Sequence, residues 1–254
     1  PGELNDARRA GDPAHTRAQT EASLAALARL REAGVETGLI VTLHRGNAGR
    51  ERLPALLAWL RALGADGPPL PVRLHLLQVD DEAVRETLGL TVDEMRAALE
   101  ALAALEQEST GLRFDLFTEL RAMLLGDDEA ASCVWRGCDP YSTAAVHAID
   151  GDGTLSNCSR GNHDGVDYRK AESPSYLRAL TLARTPQDRG GCRGCRFFLA
   201  CKGHCPGTAI AGDWRNRSEH CEVYLPLFAQ AEARLREQGH TPLSLDPERA
   251  QLEQ

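Results

Sequence analysis

The first 82 residues alternate between amphipathic segments and short apolar runs. Apolar side chains recur at helical spacing from Gln19 to Ala33, and Gly34 then ends the predicted helix. Two runs rich in branched apolar residues, Gly38–His44 and Val72–Val79, predict buried strands, with a second helix at Leu53–Leu63 between them. This helix–strand–helix–strand order is typical of parallel strands joined by crossover helices.

Residues 1–82 are predicted to be part of a larger α/β domain, because two strands alone do not make a stable sheet. Residues 1–17 are polar and predict a loop. In α/β folds, functional groups gather at the carboxyl ends of the strands. Those ends carry five polar residues here: Thr42, His44, Arg45, Gln78 and Asp80. His44 and His75 lie on apolar strands, so each is expected to be buried with its hydrogen bonds satisfied.

Residues 83–130 are predicted to be a helical linker. Thr91 and Glu94 have the spacing of a capping box and begin a helix that runs to about Glu108. A further helix is predicted from Phe114 to Leu125.

Glycine and cysteine concentrate after residue 130, which predicts a small α+β domain over residues 131–240. The segment Asp150–Gly153 separates two short strands and predicts a hairpin. Helices are predicted at Ser175–Ala183 and Glu222–Gln238, and Pro226 should confine the regular part of the second helix to the residues after it. The remaining residues, 241–254, are predicted to be a polar tail.

Charge and hydropathy exclude some classes of function. The formal net charge of −8 disfavours nucleic acid as a partner. No apolar run reaches the length of a membrane span, and no secretory signal is visible, so a cytoplasmic protein is expected.

Eight cysteines are the main chemical feature of the chain, and they have three possible explanations. Disulfides are disfavoured because such bridges typically hold small secreted scaffolds together. Structural zinc would use two four-sulfur sites, with Cys192-x2-Cys195 as a knuckle and His204 or His220 as possible substitute ligands. Two iron–sulfur clusters would also use four thiolates each. Spacing alone does not separate zinc from iron–sulfur.

The order and spacing of the cysteines resemble a known family. Cys138 is followed by fourteen residues, a glycine, four residues and Cys158, and then comes the run Cys192-x2-Cys195-x5-Cys201-x3-Cys205, with Cys221 after a gap. This series resembles the SPASM domain of radical S-adenosylmethionine (SAM) enzymes. Cys133 lies where sulfatase-maturing members of that family have an eighth ligand.

The resemblance implies two auxiliary four-iron four-sulfur (4Fe-4S) clusters, whose ligands are residues of this chain. The first ligand set would be Cys133, Cys138, Cys158 and Cys205. The second ligand set would be Cys192, Cys195, Cys201 and Cys221. The resemblance also implies that residues 1–82 are the end of a partial triosephosphate-isomerase-type (TIM-type) barrel, with Gly38–His44 and Val72–Val79 as its fifth and sixth strands. Thr42 and Gln78 would then face the SAM pocket.

The chain departs from the family at two points. The Cys-x3-Cys-x2-Cys motif that holds the SAM-cleaving cluster is absent, so SAM and a third 4Fe-4S cluster are expected only in a full-length enzyme of which this chain is the C-terminal portion. Ser159 stands where sulfatase-maturing relatives have a catalytic Asp, which disfavours sulfatase maturation; His163 and Asp164 could approach a substrate.

The expected function is radical modification of a peptide or protein substrate, with an external electron donor and with auxiliary clusters that accept electrons or engage substrate. This chain alone is not expected to cleave SAM. The alternatives are a non-enzymatic, zinc-stapled peptide-binding module and a cluster-bearing scaffold for electron relay.

Overall fold

The computed structural model describes residues 2–8, 12–65, 68–129, 131–139, 141–142, 146–158, 160, 171 and 175–249. The chain forms two compact units, Pro1–Thr118 and Glu119–Gln254, and the division falls inside the segment predicted to be a linker. The helices are α1 Pro13–Glu32, α2 Arg45–Ala48, α3 Leu53–Leu63, α4 Glu82–Leu88, α5 Val92–Glu108, α6 Asp115–Leu124, α7 Leu177–Arg184, α8 Phe198–Cys201 and α9 Cys221–Glu237. The strands are β1 Leu39–Leu43, β2 Leu70–Leu76, β3 Leu112–Phe114, β4 Ala148–Ile149 and β5 Leu155–Ser156.

The first unit contains a parallel sheet in the order β1-β2-β3. The predicted mixed α/β class and the two parallel strands are confirmed. The third strand, β3, was not predicted. A helix was expected to begin at Phe114, which is the last residue of this strand. The described strands form an open sheet of three strands, and no barrel closes among the residues that the structure covers.

One face of this sheet is buried, and the opposite face is partly exposed. Val41 and Leu43 on β1 and Val72 on β2 are buried. The alternate residues lie on the other face, where Ile40 pairs with Arg73 and remains 66% exposed. Such alternation is expected of strands, in which successive side chains point to opposite faces.

The ends of two helices show how local sequence sets the fold. Helix α1 begins at Pro13, because the side chain of Asp12 accepts a hydrogen bond from the backbone N of His15 at 2.9 Å. The prediction of a loop over residues 1–17 is therefore wrong. Within the same range, Gly2–Arg8 form a 3₁₀ helix that was not predicted either. The capping box that begins α5 is confirmed, with reciprocal hydrogen bonds between Thr91 and Glu94.

The described part of the second unit contains the predicted hairpin, the end of α6, and helices α7, α8 and α9. Strands β4 and β5 pair antiparallel, and Gly153 in their turn has a φ of +85°. The expectation for Pro226 is wrong, since α9 runs through it without interruption. Proline inside a helix costs about 3 kcal/mol, but Leu227 and Phe228 are buried beside it, and each such burial contributes about 1.5–3 kcal/mol.

None of the described helices combines the length and the apolar character that a bilayer crossing needs.

Candidate metal centre

Four cysteines of the second unit are placed by one turn and two helices. The backbone N of Cys195 donates to the carbonyl of Cys192 at 2.9 Å, and Gly194 between them takes a φ of +75° that suits glycine. Cys201 is the last residue of α8, and Cys221 is the first residue of α9. These elements turn four sulfur-bearing side chains, which are spread over thirty residues of the chain, toward one place.

That place is a recess with about 380 Å³ of empty space, part of which is open to solvent. Cys192, Cys195, Cys201 and Cys221 all line it, so the structure brings together the cysteines of the predicted second ligand set. The rest of the lining is largely aromatic or apolar: Phe197, Phe198, Tyr224, Leu225 and Phe228. An apolar wall excludes water and lowers the local dielectric, which strengthens interactions with any charged group bound inside.

Burial dominates the electrostatics of these thiols. Together with the neighbouring sulfurs of Cys195 and Cys221, burial raises the pKa of Cys192 to about 12, although the charges of Arg178 and Arg217 act in the opposite direction. Burial also raises the pKa of Cys201, followed by the effects of Cys192, Cys221 and Cys195. Thiols in such a setting become thiolates only when a metal cation binds them. The donor set therefore fits a metal centre with four sulfur ligands.

Cys221 lies beside a positive charge that favours its thiolate form. Burial raises its pKa, whereas the charge of Arg217 lowers it. The N-terminus of α9 adds the positive end of a helix dipole at the same position.

Three other cysteines form a second group. Burial raises the pKa of Cys205, and the sulfurs of Cys158 and Cys133 raise it further, while a hydrogen bond from the backbone of Gly207 lowers it. Cys158 follows β5, and Cys133 begins a 3₁₀ turn that ends at Trp135. These are three of the four residues predicted as the first ligand set. The fourth, Cys138, interacts electrostatically with Arg178, as does Cys205.

A sharp change of direction separates the two groups. Lys202, Gly203 and His204, which connect Cys201 to Cys205, all have left-handed φ values of 53°, 75° and 61°. Two of the three are not glycine, and that conformation costs such residues about 1–2 kcal/mol each. Lys202 donates a side-chain hydrogen bond to Asp128, and the ring nitrogen Nδ1 of His204 lies 3.3 Å from the hydroxyl of Thr208. These contacts help to hold the reversal.

A buried arginine donates hydrogen bonds to the backbone of the same reversal. Arg178 on α7 is only 1% exposed, and its guanidinium donates five hydrogen bonds of 2.7–3.2 Å to backbone carbonyl oxygens. The five carbonyls belong to Lys202, Gly203, His204, Trp214 and Asn216. Burial lowers its pKa, while the sulfurs of both groups raise it. No local pattern in the sequence marks Arg178, because its partners lie 24 to 38 positions away.

Aromatic rings pack beside both groups. The ring of Trp135 makes edge contacts with His204 at 4.5 Å, with Tyr224 at 5.2 Å and with Phe228 at 5.7 Å between centroids. Burial raises the pKa of Tyr224, and the sulfurs of Cys201 and Cys205 add to that effect. Tyr224 therefore lies near one cysteine of each group. His204 and His220 are both buried in this region.

Single-ion sites and cluster sites place their sulfur ligands at different separations. Across the residues that the structure describes, no three His, Cys, Asp or Glu side chains are placed to hold a single ion. Around one zinc, four sulfurs would stand about 3.8 Å apart, as follows from a Zn–S distance of about 2.3 Å. A four-iron cube uses a separate iron for each thiolate, so its ligands surround a volume. None of the eight cysteines, all of which lie in the described residues, forms a disulfide bond.

Thr42 and Gln78, at the strand ends of the first unit, were the predicted SAM-binding residues. Thr42 pairs across the sheet with His75, and its carbonyl accepts from the side chain of Asn47 at 2.9 Å. Gln78 lies two residues beyond β2. Strand alternation would give Gln78 the parity of the buried face, opposite Thr42. A shared cofactor pocket for Thr42 and Gln78 stays a prediction.

His44 has a structural role. It is buried, it accepts from the backbone N of Gly46 at 3.1 Å, and its own backbone N donates to Asn47 at 2.9 Å, which caps α2. Burial lowers its pKa. Ser159, which stands where sulfatase-maturing relatives have a catalytic Asp, lies outside the described residues, as do His163 and Asp164, which were predicted to approach a substrate.

Comparisons with protein-family models, with curated proteins and with solved structures found no match to this chain.

Proposed function

We propose that this chain is the C-terminal portion of a radical SAM enzyme with two auxiliary 4Fe-4S clusters, and that the full enzyme modifies a peptide or protein substrate. The observation that carries the proposal is the recess lined by Cys192, Cys195, Cys201 and Cys221. These four cysteines are the ones that the resemblance assigns to one cluster, and they come from three separate elements of the fold.

The second group supports the same proposal. Cys205 interacts with Cys133 and Cys158, although only three residues separate it from Cys201 in the recess. This interleaving of the two sets along the chain is what the resemblance implies. It would make the domain fold around both centres at once, as metal-dependent domains do.

The chemistry of the lining favours iron–sulfur over zinc. A bound 4Fe-4S cluster supplies one-electron chemistry at a potential that its protein surroundings set. In this chain, aromatic rings form much of the wall of the recess, and Arg217, which also lines it, carries a positive charge that lowers the pKa of Cys221. Charge close to the cluster and limited solvent access are among the factors by which proteins tune such potentials.

The open sheet of the first unit supports the assignment to a partial TIM-type barrel. Ile40 and Arg73 lie side by side on its partly exposed face. In a barrel, this face would meet the side chains of the remaining strands. SAM and a third cluster would bind in that part of the full enzyme. A peptide substrate, an external electron donor and a cytoplasmic location belong to the same proposal.

Anaerobic reconstitution with iron and sulfide tests the proposal. We expect broad brown absorption and about eight irons and eight sulfides per chain, as two four-iron clusters require. The same preparation offered zinc instead serves as the comparison. A colourless protein that retains two zinc ions in preference to iron would support the zinc-stapled binding module and would refute the cluster assignment.

A second assay addresses the enzyme class. The reconstituted chain, given SAM and a strong reductant, should yield no deoxyadenosine, because the Cys-x3-Cys-x2-Cys motif is not in this sequence. Appreciable deoxyadenosine would show that SAM cleavage does not depend on that motif here.

A further inference from the structure

Arg178 is a buried charge that is fully hydrogen-bonded. It is 1% exposed, and its five N–H groups can all be assigned to the five carbonyl oxygens that surround it. Carbonyl dipoles can solvate a cation, but they do not neutralise it. A buried charge is costly unless opposite charge lies nearby.

The opposite charge near Arg178 comes from sulfur. Its partners among the described residues include no carboxylate, and the side chains that favour its charged form are Cys138, Cys192, Cys205 and Cys201. Two of these cysteines belong to each predicted ligand set. A 4Fe-4S cluster with four thiolate ligands carries net negative charge, so Arg178 would lie beside two anionic centres.

The hydrogen bonds of Arg178 also fix the geometry of both sets. Three of the five carbonyls belong to the left-handed reversal between Cys201 and Cys205. The other two, from Trp214 and Asn216, lie in the segment that leads to Cys221. A single side chain therefore connects the backbone segments that carry ligands of both sets.

We propose that Arg178 is a charge-compensating and positioning residue shared by both clusters, which raises both of their reduction potentials. This inference rests on the proposed function. A positive charge close to a cluster stabilises its reduced, more negative state, so the loss of that charge should make reduction harder. The function assigned to Arg178 differs from that of Arg217, which lines the recess of the second ligand set and whose charge lowers the pKa of Cys192 and Cys221.

The test compares four variants: R178M, R178K, R217M and R184M. Each is measured by a redox titration monitored by electron paramagnetic resonance. To observe one cluster at a time, the titrations use a Cys201→Ala background, which keeps the first ligand set, and a Cys205→Ala background, which keeps the second. Arg184 lies at the exposed end of the same helix as Arg178 and is the matched control.

We expect R178M to move the midpoint potential to more negative values in both backgrounds. R178K keeps the charge and should stay near the parent potential, although it has fewer donors and should melt at a lower temperature. R217M should shift only the second cluster, and R184M should shift neither. A shift with R178M in one background only, or in none, would overturn the shared role of Arg178.

If R178M does not retain its clusters, their potentials cannot be measured, and the iron contents of the variants are compared instead. If R178K then loads while R178M does not, the charge is required and the proposal stands. If neither variant takes up iron, the five N–H donors of the guanidinium group are what the clusters require, and the charge-compensating role is rejected. A wild-type chain that takes up no iron would refute the proposed function itself. A wild-type chain that takes up iron, with potentials that R178M leaves unchanged, would refute only the role of Arg178.

Discussion

Cys201 and Cys205 lie on opposite sides of a backbone reversal and belong to different cysteine groups, although only three residues separate them. Cys201 lines the recess with Cys192, Cys195 and Cys221, whereas Cys205 interacts with Cys133 and Cys158. The three left-handed residues between them make this separation possible. Two metal centres can therefore be built from ligands that alternate along the chain.

Pairs of alanine substitutions test this separation. Cys201→Ala or Cys205→Ala alone should lower the iron content of the reconstituted chain from about eight to about four per chain, because each variant removes a ligand of one cluster. The double variant C192A/C201A, within one group, should retain about four irons. The double variant C201A/C205A, across the groups, should retain almost none. Iron and sulfide analysis measures all four.

The contrast between the two double variants is the deciding observation. Both remove two thiols, so a general loss of affinity would affect them equally. Equal iron contents in C192A/C201A and C201A/C205A would contradict the division of the cysteines into two groups.

Gly203 should be intolerant of a side chain. It has a φ of +75°, and an added Cβ would lie 2.4 Å from Cδ1 of Leu182. The left-handed conformation and the overpacking together should cost about 2–4 kcal/mol in Gly203→Ala. We expect a lower melting temperature and weaker iron loading for this variant. Gly151→Ala is the control, because nothing lies within 4 Å of the added methyl group there. Equal melting temperatures for the two variants would refute this account of the reversal.

Local signals made part of the second unit predictable. The turn residues Asp150–Gly153 determine the hairpin, and Cys192 and Cys195 lie on either side of a turn that Gly194 permits. Such turns depend on residues within four positions, and a sequence pattern reports those well. The grouping of cysteines came from the resemblance, since spacing alone left zinc and iron–sulfur open.

Features that depend on distant partners could not be predicted. Strand β3 has three residues, too few to show an alternating pattern, and its pairing with β2 depends on residues more than forty positions away. The burial of Arg178 depends on carbonyls of Lys202–His204, Trp214 and Asn216. Backbone carbonyls exist at every position, so no residue pattern marks the ones that an arginine will use.

Glu119 is expected to position the first ligand set. Its carboxylate accepts from the backbone N of Ser132 at 3.1 Å and from the hydroxyl of Ser132 at 2.8 Å, directly before Cys133. Each hydrogen bond to a charged acceptor contributes about 1.5–3 kcal/mol to the free energy of unfolding, and this contribution is lost when the acceptor is removed. Glu119→Ala should therefore destabilise the turn at Cys133 and weaken the first cluster. The second cluster, measured in a Cys205→Ala background, should keep its wild-type iron content.

Glu129→Ala is the matched control, because Glu129 has an exposed side chain in the same connecting segment. It should retain both clusters. If Glu119→Ala lowered the occupancy of both clusters to the same degree, the effect of Glu119 would be general stability rather than the placement of Cys133.

Asp115 should contribute more to the first unit than its surface ion pair suggests. Its carboxylate accepts from Arg73 Nε at 2.7 Å, but it also accepts from the backbone N of Leu74 on β2 at 3.0 Å. The pairing of β3 with β2 stops at Val72, so Asp115 supplies the acceptor that the strand no longer provides. Loss of that acceptor leaves a part-buried N–H unpaired, which costs about 1–3 kcal/mol, whereas an exposed ion pair contributes about 0–1 kcal/mol.

Three variants separate these two contributions. Arg73→Ala and Asp115→Asn remove the ion pair, but the asparagine keeps a side-chain oxygen that can accept from Leu74. Asp115→Ala removes both interactions. We expect amide hydrogen exchange in β2 to be nearly unchanged in the first two variants and clearly faster in Asp115→Ala. If Asp115→Asn exchanged as fast as Asp115→Ala, the charge on Asp115 rather than its hydrogen bond to Leu74 would hold this edge of the sheet.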